Sequence, residues 1–175
     1  MYERGLFLGR FQPIHKGHIQ VIQILLKEVK ELIIGIGSAQ YTHSFNNPFT
    51  AGERILMIKN ALLEYNIDLI KIYIIPINDT NDNRTWVSHI IATVPEFDVA
   101  YTNNPLVFRL IKEFGIEVKN TESFERETLS STLVRKRILN NEKWQNIVPK
   151  SVSSLIKQID GINRIKEIGK ISLKI

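Results

Sequence analysis

The segment 9–18, Gly-Arg-Phe-Gln-Pro-Ile-His-Lys-Gly-His, joins an apolar strand-like run to an amphipathic helix-like run. Two of the four histidines, His15 and His18, lie three residues apart around Gly17. In α/β sheets, ligands bind where a strand leads into a helix N-terminus, whose free backbone N–H groups attract anions. This junction is therefore the first candidate for a binding or catalytic site.

Short apolar runs alternate with amphipathic runs along most of the chain. The apolar runs, bounded by Gly, Pro or Asn, predict strands over 5–9, 31–37, 69–76, 97–102 and 116–119. Apolar residues at three-and-four spacing predict helices over 17–30 and 50–65. Thr50 and Glu53 have the spacing of a capping box at the second helix. Strands that alternate with helices and right-handed crossovers predict a Rossmann-like, doubly wound α/β fold with a parallel sheet.

From residue 130 the pattern changes to helices without intervening strands. Helices are predicted over 130–140 and 149–159, with a turn near 143–147 and a weakly amphipathic tail after 161. A chain of 175 residues is long enough for one well-buried domain. We expect a single domain over 1–175, with an α/β core at 1–129 and C-terminal helices at 130–175 packed on it.

Composition argues against several classes of protein. The chain has no cysteine, which excludes disulfides and thiolate metal sites. No run of about eighteen apolar residues and no signal-peptide pattern occur, so we expect a cytoplasmic protein without a membrane partner. The net charge is +5, but basic residues are mixed with acidic ones and form no block. A nucleic-acid partner is therefore not expected.

The groups at the first junction suit a phosphate ligand. Gly17 lets a phosphate approach the backbone, and His15 and His18 can donate hydrogen bonds beside the helix N–H groups. Arg10 and Lys16 add positive charge. Such a set stabilises phosphoryl or nucleotidyl transfer, which needs positioning and electrostatics more than a covalent nucleophile. The plainer interpretation makes His15 a loop residue and His18 a side chain satisfied at a helix start.

A second helix start, at 129–135, repeats this arrangement. In Leu-Ser-Ser-Thr-Leu-Val-Arg, hydroxyl side chains precede the cation Arg135, which lies one turn into the helix. A purely structural N-cap is the alternative for Ser130 or Ser131, because serine favours that position. Two helix starts of this kind in one chain favour a phosphate-binding function.

With these motifs the chain resembles the nucleotidyltransferases that carry a His-x-Gly-His signature, and among them the archaeal-type nicotinamide-nucleotide adenylyltransferases. The similarity runs from residue 5 to about residue 149. Its landmarks are segment 9–18, Gly-Ser-Ala-Gln at 37–40, Asn-Pro-Phe-Thr-Ala-Gly-Glu-Arg at 47–54, Trp-Val-Ser-His at 86–89, and 130–135. The resemblance implies transfer of the adenylyl group of ATP to nicotinamide mononucleotide, which gives NAD and pyrophosphate.

The resemblance also implies roles for individual residues. His15, His18 and Arg135 would be catalytic and contact the ATP phosphates and the transition state. The implied ATP-binding residues are Gly9, Arg10, Phe11, Gly17, Asn104, Ser130 and Thr132. Asn83, Trp86 and Asp79 would bind nicotinamide mononucleotide, since a cationic pyridinium ring favours an aromatic face and an amide can pair with the carboxamide. Sequence alone favours Trp86 as a core aromatic of a helix over 86–94, and Asn104 lies in an ordinary turn at a helix start.

The implied reaction sets the expected cofactor and assembly. The attacking phosphate oxygen of the mononucleotide is already anionic and needs no general base, so repulsion and alignment limit the reaction. No clustered carboxylates demand a metal site, so Mg²⁺ is expected to travel largely with ATP. The family likeness implies a homo-oligomer, with a hexamer as one form. His43 and His89 are expected to have surface or packing roles, and Arg54 to balance its helix.

Two positions depart from the family pattern. Asn46 and Asn47 stand where some members carry an arginine, which puts a phosphate contact there in doubt. Ser131 stands where glycine is common, so its side chain either takes up room near the phosphate or adds a hydroxyl donor.

Three other functions stay open. Another His-x-Gly-His enzyme, such as a pantetheine-phosphate adenylyltransferase or a cytidylyltransferase, would use the same helix start, although Asn83 with Trp86 argues against it. A non-catalytic nucleotide sensor would bind ATP or NAD without releasing pyrophosphate. A basic nucleic-acid module would bind polynucleotides with an affinity that falls steeply with salt.

Overall fold

A computed structural model of the protein describes residues 1–121 and 129–172. The strands are β1 (Tyr2–Gly9), β2 (Val29–Ile36), β3 (Ile72–Pro76), β4 (Val99–Tyr101) and β5 (Glu117–Lys119). They form a sheet in the order β3-β2-β1-β4-β5, and every neighbouring pair is parallel. The predicted Rossmann-like α/β class is confirmed.

Helices fill the connections and the C-terminal part of the chain. They are α1 (Lys16–Glu28), α2 (Ala51–Glu64), α3 (Asn83–Thr93), α4 (Pro105–Glu113), α5 (Ser131–Leu139), α6 (Lys150–Gln158) and α7 (Gly161–Ser172), with short 3-10 turns at Leu69–Lys71 and Gln145–Ile147. Helix α3 begins three residues before the predicted start at Trp86, because the side chain of Asp82 caps it by accepting from the backbone N–H of Arg84. Helix α1 passes into β2 without a loop, so the predicted helix ends at Glu28.

The chain forms two compact units that interleave along the sequence. The described residues of the first unit are 1–10, 21–39 and 68–121, and they contain the whole sheet. Its core joins strand residues such as Leu6 and Ile33 to α3 residues such as Ile90, all of them buried. Hydrophobic burial of this kind holds α3 and α4 on the sheet.

The described residues of the second unit are 11–20, 40–67 and 129–172. Here α2 packs against α6, and α7 packs against α5 and α6. The Glu64 carboxylate at the end of α2 accepts hydrogen bonds of 2.9 and 2.7 Å from the backbone N–H groups of Lys150 and Ser151. The expected single domain, with a core at 1–129 and helices at 130–175, stays a prediction, and 122–128 and 173–175 lie outside the described residues.

Across residues 1–121 and 129–172, no helix combines the length and the apolar character needed to cross a membrane.

Candidate active site

His15 and His18 lie together at the start of α1, in the second unit. Their rings stack with centroids 3.7 Å apart and planes inclined by 28°, and the Phe11 ring centroid lies 4.9 Å from that of His18. The backbone N–H of His15 donates to Nδ1 of His18 over 3.2 Å. Because a backbone N–H can only donate, Nδ1 of His18 is an unprotonated acceptor, and the neutral ring carries its proton on Nε2.

Both imidazoles are neutral at pH 7. Burial lowers the pKa of His15 to about 4. Part of His18 is accessible at the surface, yet burial of its ring, followed by repulsion from His15, lowers its pKa well below the ordinary 6.5. Nδ1 of His15 is buried and has no hydrogen-bond partner among the described residues. The pair can therefore offer N–H donors to an anion without carrying a formal charge.

Gly17 makes room for one of these rings. A Cβ at this position would lie 3.1 Å from Nδ1 and 3.2 Å from Cε1 of His15, closer than most side-chain contacts. The glycine between the two histidines thus allows His15 to fold back against the helix start. A contact between Gly17 and ATP stays a prediction, as does the charge that Lys16 adds at the first position of α1.

Arg135 of α5 is buried in the same unit, with 2 % of its surface exposed. Its Nη1 donates to the main-chain carbonyl of Gln12 over 2.7 Å, and its Nη2 donates to Oγ1 of Thr132 over 3.2 Å. The ring of Phe45 lies 5.7 Å from the guanidinium carbon, within range of a cation–π contact. Thr132, a predicted ATP ligand, therefore also orients the arginine.

The two serines at the start of α5 have different partners. Ser130 is the N-cap, because its side chain accepts from the backbone N–H of Leu133 over 3.1 Å. The Ser131 hydroxyl donates to the carbonyl of Pro13 over 2.8 Å. Ser131, which stands where glycine is common in the family, thus donates a hydrogen bond that attaches α5 to the loop before α1. Arg135 and Ser131 bind two consecutive carbonyls of that loop, those of Gln12 and Pro13.

Sequence reasoning did not single out Gln12, which ties this loop to the segment before α2. Its Nε2 donates to the carbonyl of Phe49 and its Oε1 accepts from the N–H of Phe49, both over 3.0 Å. Gln12 is 1 % exposed. A polar residue inside the otherwise apolar run 11–14 is the signal that could have found it, since buried polar groups require partners.

The start of α2 is fixed from two sides. Thr50 and Glu53 form the predicted capping box. Arg164 of α7 donates to both carboxylate oxygens of Glu53, over 2.7 and 2.9 Å, and to the carbonyl of Pro48 over 3.2 Å. Burial alone would raise the pKa of Glu53, but hydrogen bonds from Arg164 and Thr50 hold it below its usual value. This contact joins residues that are 111 positions apart, so the local sequence pattern did not predict it.

Arg54 and His89 are the other polar residues placed on these helices. Arg54 is fully buried, and its Nε donates to the carbonyl of Thr50 over 3.3 Å, so it packs inside rather than balancing an exposed helix end. His89 is partly buried on α3, and its Nε2 has no hydrogen-bond partner among the described residues. Packing roles fit both residues.

The loop before α2 carries His43 and the two asparagines that depart from the family pattern. His43 is exposed, and its Nδ1 lies 2.8 Å from the Thr42 hydroxyl. The backbone N–H of Asn47 donates to the carbonyl of Ser44 over 3.0 Å and lies 3.2 Å from its hydroxyl. Asn47 therefore closes a turn in this loop, and Asn46 is exposed.

The first unit holds Gly9 and Arg10, two of the predicted ATP-binding residues, and Asp79, a predicted ligand of nicotinamide mononucleotide. The carbonyl of Gly9, at the end of β1, accepts from the N–H of Gly37 over 2.9 Å, and Arg10 follows with an exposed side chain. The hydroxyl of Ser38 donates to Oδ2 of Asp79 over 2.7 Å. Asp79 is thus held by a residue of the Gly-Ser-Ala-Gln segment.

Asn83, Trp86 and Asn104 lie at helix starts in this unit. Asn83 is the exposed first residue of α3, and Trp86 follows in the first turn. Trp86 is partly buried and packs against the hydrophobic core, so the core role that sequence alone favours is present. Asn104 is the N-cap of α4, and its Oδ1 accepts from the N–H groups of Leu106 and Val107. The ligand contacts of all three residues stay predictions.

The arrangement of acidic and histidine side chains bears on the metal. Within the part of the chain that the structure describes, no group of three or more His, Asp or Glu side chains comes close enough to hold a metal ion. Mg²⁺ prefers a few carboxylates together with water and substrate phosphates. The expectation that Mg²⁺ travels largely with ATP stays a prediction.

Comparison with known proteins places the chain in a family. The model of the cytidylyltransferase-like family matches residues 6–137. The nicotinamide-nucleotide adenylyltransferase of Archaeoglobus fulgidus is 51% identical over 168 residues, which cover 94% of this chain and 97% of that protein. The nicotinamide-nucleotide adenylyltransferase of Methanolobus tindarius is 48% identical over 167 residues, 95% of each chain.

A solved structure supports the fold. It is a bifunctional NMN adenylyltransferase/ADP ribose pyrophosphatase from Francisella tularensis complexed with AMP and a manganese ion, with a TM-score of 0.82 and 24% identity. The match covers 99% of this chain and 54% of that chain, so this chain spans about half its length.

The chain belongs to the cytidylyltransferase-like family, as the parallel sheet and the His-x-Gly-His helix start had indicated. Its relatives that align over nearly the whole length are nicotinamide-nucleotide adenylyltransferases. The resemblance based on segments 9–18 and 130–135 is thereby confirmed.

Proposed function

We propose that this chain transfers the adenylyl group of ATP to nicotinamide mononucleotide, forming NAD and releasing pyrophosphate. One observation carries the proposal: the stacked His15 and His18 and the buried Arg135 are all tied to the single loop that precedes α1. The name and the 51% identity of the Archaeoglobus fulgidus relative support this reaction over other nucleotidyl transfers.

His15, His18 and Arg135 bind the triphosphate. The imidazole N–H groups and the N–H groups at the start of α1 donate to phosphoryl oxygens, and the guanidinium supplies permanent positive charge. The other proposed ATP-binding residues are Gly9, Arg10, Phe11, Gly17, Asn104, Ser130 and Thr132. Removal of one such donor from a transition state typically costs about 10²- to 10³-fold in rate.

The 5′-phosphate oxygen of the mononucleotide attacks the α-phosphorus of ATP. The new phosphorus–oxygen bond forms as the bond to the oxygen bridging to the β-phosphate breaks, and pyrophosphate leaves. The attacking oxygen is already anionic, so no side chain has to remove a proton. Catalysis then consists of aligning the two phosphates in line and offsetting their mutual repulsion.

Mg²⁺ enters with ATP as part of the substrate complex, where it offsets charge on the phosphate oxygens. The manganese ion in the Francisella tularensis structure supports the use of a divalent cation.

Asn83, Trp86 and Asp79 hold the mononucleotide. Trp86 is only partly buried, which leaves indole surface for a cationic pyridinium ring, an attraction worth about 0.5–2 kcal/mol. Asn83 is exposed at the start of α3 and can pair with the carboxamide or the ribose. Asp79, oriented by Ser38, is an acceptor for ribose hydroxyls.

We also propose that the protein forms a homo-oligomer, that it is located in the cytoplasm and that it has no nucleic-acid partner.

The test follows pyrophosphate release from the purified protein with Mg²⁺, ATP or CTP, and a panel of acceptors. Nicotinamide mononucleotide, its nicotinic acid analogue and phosphopantetheine are compared. Release with ATP and nicotinamide mononucleotide, lost in Arg135→Met, supports the proposal. Release only with phosphopantetheine or only with CTP favours the corresponding related enzyme. Nucleotide binding without release from any acceptor favours a sensor.

A further inference from the structure

We propose that Gln12 is a positioning residue, which sets the Arg135 guanidinium through its own main-chain carbonyl and does not touch the nucleotide. The inference rests on the proposed function, because it concerns the rate of adenylyl transfer. It starts from a buried polar side chain that neither the motif nor the proposed reaction explains.

The side chain of Gln12 is committed to the backbone of one residue, Phe49. Its carboxamide donates to the carbonyl of Phe49 and accepts from the N–H of Phe49, both over 3.0 Å. These paired bonds fix the plane of the carboxamide and the course of the chain at residue 12. With 1 % of its surface exposed, Gln12 has no face left for a ligand.

The backbone on either side of Phe49 is itself anchored. The carbonyl of Pro48 accepts from Arg164, and Thr50 begins the capping box with Glu53. The segment around Phe49 is therefore held before and after the residue that Gln12 binds. Through its two hydrogen bonds to Phe49, Gln12 fixes the loop before α1 relative to this segment.

The loop before α1 has to be held in place because its backbone conformation is unfavourable at Phe11. Phe11 has a φ of 50°, in the left-handed region, which is unfavourable for a bulky side chain. Its ring is 1 % exposed and lies against His18. Loss of the Gln12 bonds would let the chain relax toward ordinary dihedral angles and move the carbonyl of Gln12.

That carbonyl is what orients Arg135. Nη1 of Arg135 donates to it over 2.7 Å, while Nη2 is used within α5, on Thr132. Ser131 binds the next carbonyl, that of Pro13, so α5 docks on this stretch of backbone. Misplacing a catalytic group by about 1 Å can cost roughly a hundredfold in rate.

Two variants of Gln12 test the inference. Gln12→Met keeps the length of the side chain and removes both hydrogen bonds. We expect kcat to fall roughly ten- to a hundredfold, with KM for ATP and nicotinamide mononucleotide changed by less than about threefold, because the residue does not touch either substrate.

Gln12→Glu adds a readout that a purely structural role would not move. A carboxylate at this position accepts from the N–H of Phe49 but opposes its carbonyl, whereas the protonated acid donates to that carbonyl and restores both bonds. Burial raises the pKa of a carboxyl group. The ratio of this variant's kcat to that of the wild type should therefore rise as the pH falls from 8 to about 5.

Glu64→Gln is the control, since it weakens an exposed contact of the second unit that also joins a side chain to backbone, the one at the start of α6. It should lower the melting temperature without lowering kcat. Wild-type kcat in a folded Gln12→Met, or a Gln12→Glu ratio that does not change with pH, overturns the inference. If Gln12→Met does not fold, the Gln12→Glu profile decides. A wild type that releases no pyrophosphate overturns the proposed function and the inference together, whereas unaffected variants of an active enzyme overturn the inference alone.

Discussion

Lowering the pH from 7 to 4 is expected to destabilise the protein through His15. The pKa of this imidazole is about 4 in the folded protein, because burial disfavours its charged form, against an ordinary value of 6.5. Between these two values the unfolded state binds more protons than the folded state, so the free energy of unfolding falls as the pH falls. At about 1.4 kcal/mol per pKa unit, the full loss is about 3 kcal/mol. His18 acts in the same direction, since its pKa is also lowered.

Urea unfolding at intervals from pH 7.5 to 4.5 measures this effect. His15→Asn should be less stable than the wild type at pH 7, because it loses the stacking with His18, but its stability should fall less steeply below pH 6.5. His43→Asn removes an imidazole from an exposed loop and is the matched control. Parallel curves for the wild type and His15→Asn would refute the argument. So would an NMR titration in which the His15 ring gains its proton near pH 6.5.

Three further substitutions test the site and its support. His18→Ala should lower kcat about 10²- to 10³-fold in a pyrophosphate assay while mononucleotide binding changes little, because an Nε2–H donor to the transition state is lost; equal, small effects on both would contradict that role. Trp86→Ala should raise KM for nicotinamide mononucleotide about two- to thirtyfold through loss of a cation–π contact, and an unchanged KM would leave Trp86 a core residue only. Arg164→Met should lower the free energy of unfolding at pH 7 by about 2 kcal/mol in urea titrations, since it removes two charge-assisted hydrogen bonds from Glu53, whose side chain is 18% exposed. Because the pKa of Glu53 is lowered, this contribution should be full above pH 4.5 and be lost as the pH falls further. Glu53→Gln should lower the free energy of unfolding less in the Arg164→Met background than in the wild type. Additive losses in the double variant would show that the two side chains do not interact.

The fold could be predicted where its causes are local. The apolar run at β1 and the three-and-four pattern of α1 are properties of neighbouring residues, and they fix the strand-to-helix junction. The capping box of Thr50 and Glu53 could likewise be predicted, because it depends only on two residue types within one four-residue segment. Helix α3 started earlier than expected, because an Asp82 cap competes with the hydrophobic pattern on which the prediction depended.

The hydrogen bonds that hold the candidate site in place could not be predicted, because they join segments that are far apart in the sequence. Arg135 binds the carbonyl of a residue 123 positions away, and Gln12 binds the backbone of a residue 37 positions away. No periodicity encodes such pairs. The neutral state of His15 is also a product of burial, so the motif shows that an imidazole is present but not its protonation state.

The two helix starts supply different electrostatic components. The start of α1 gives neutral N–H donors, since both histidines are uncharged at pH 7, whereas α5 gives the permanent charge of Arg135. A neutral donor gains strength as negative charge develops on the group that it binds, while a guanidinium attracts the phosphates at every stage. The distance between the two components depends on the carbonyls of Gln12 and Pro13, which α5 binds. Substitutions that move this backbone should therefore change kcat even when every charged side chain is retained.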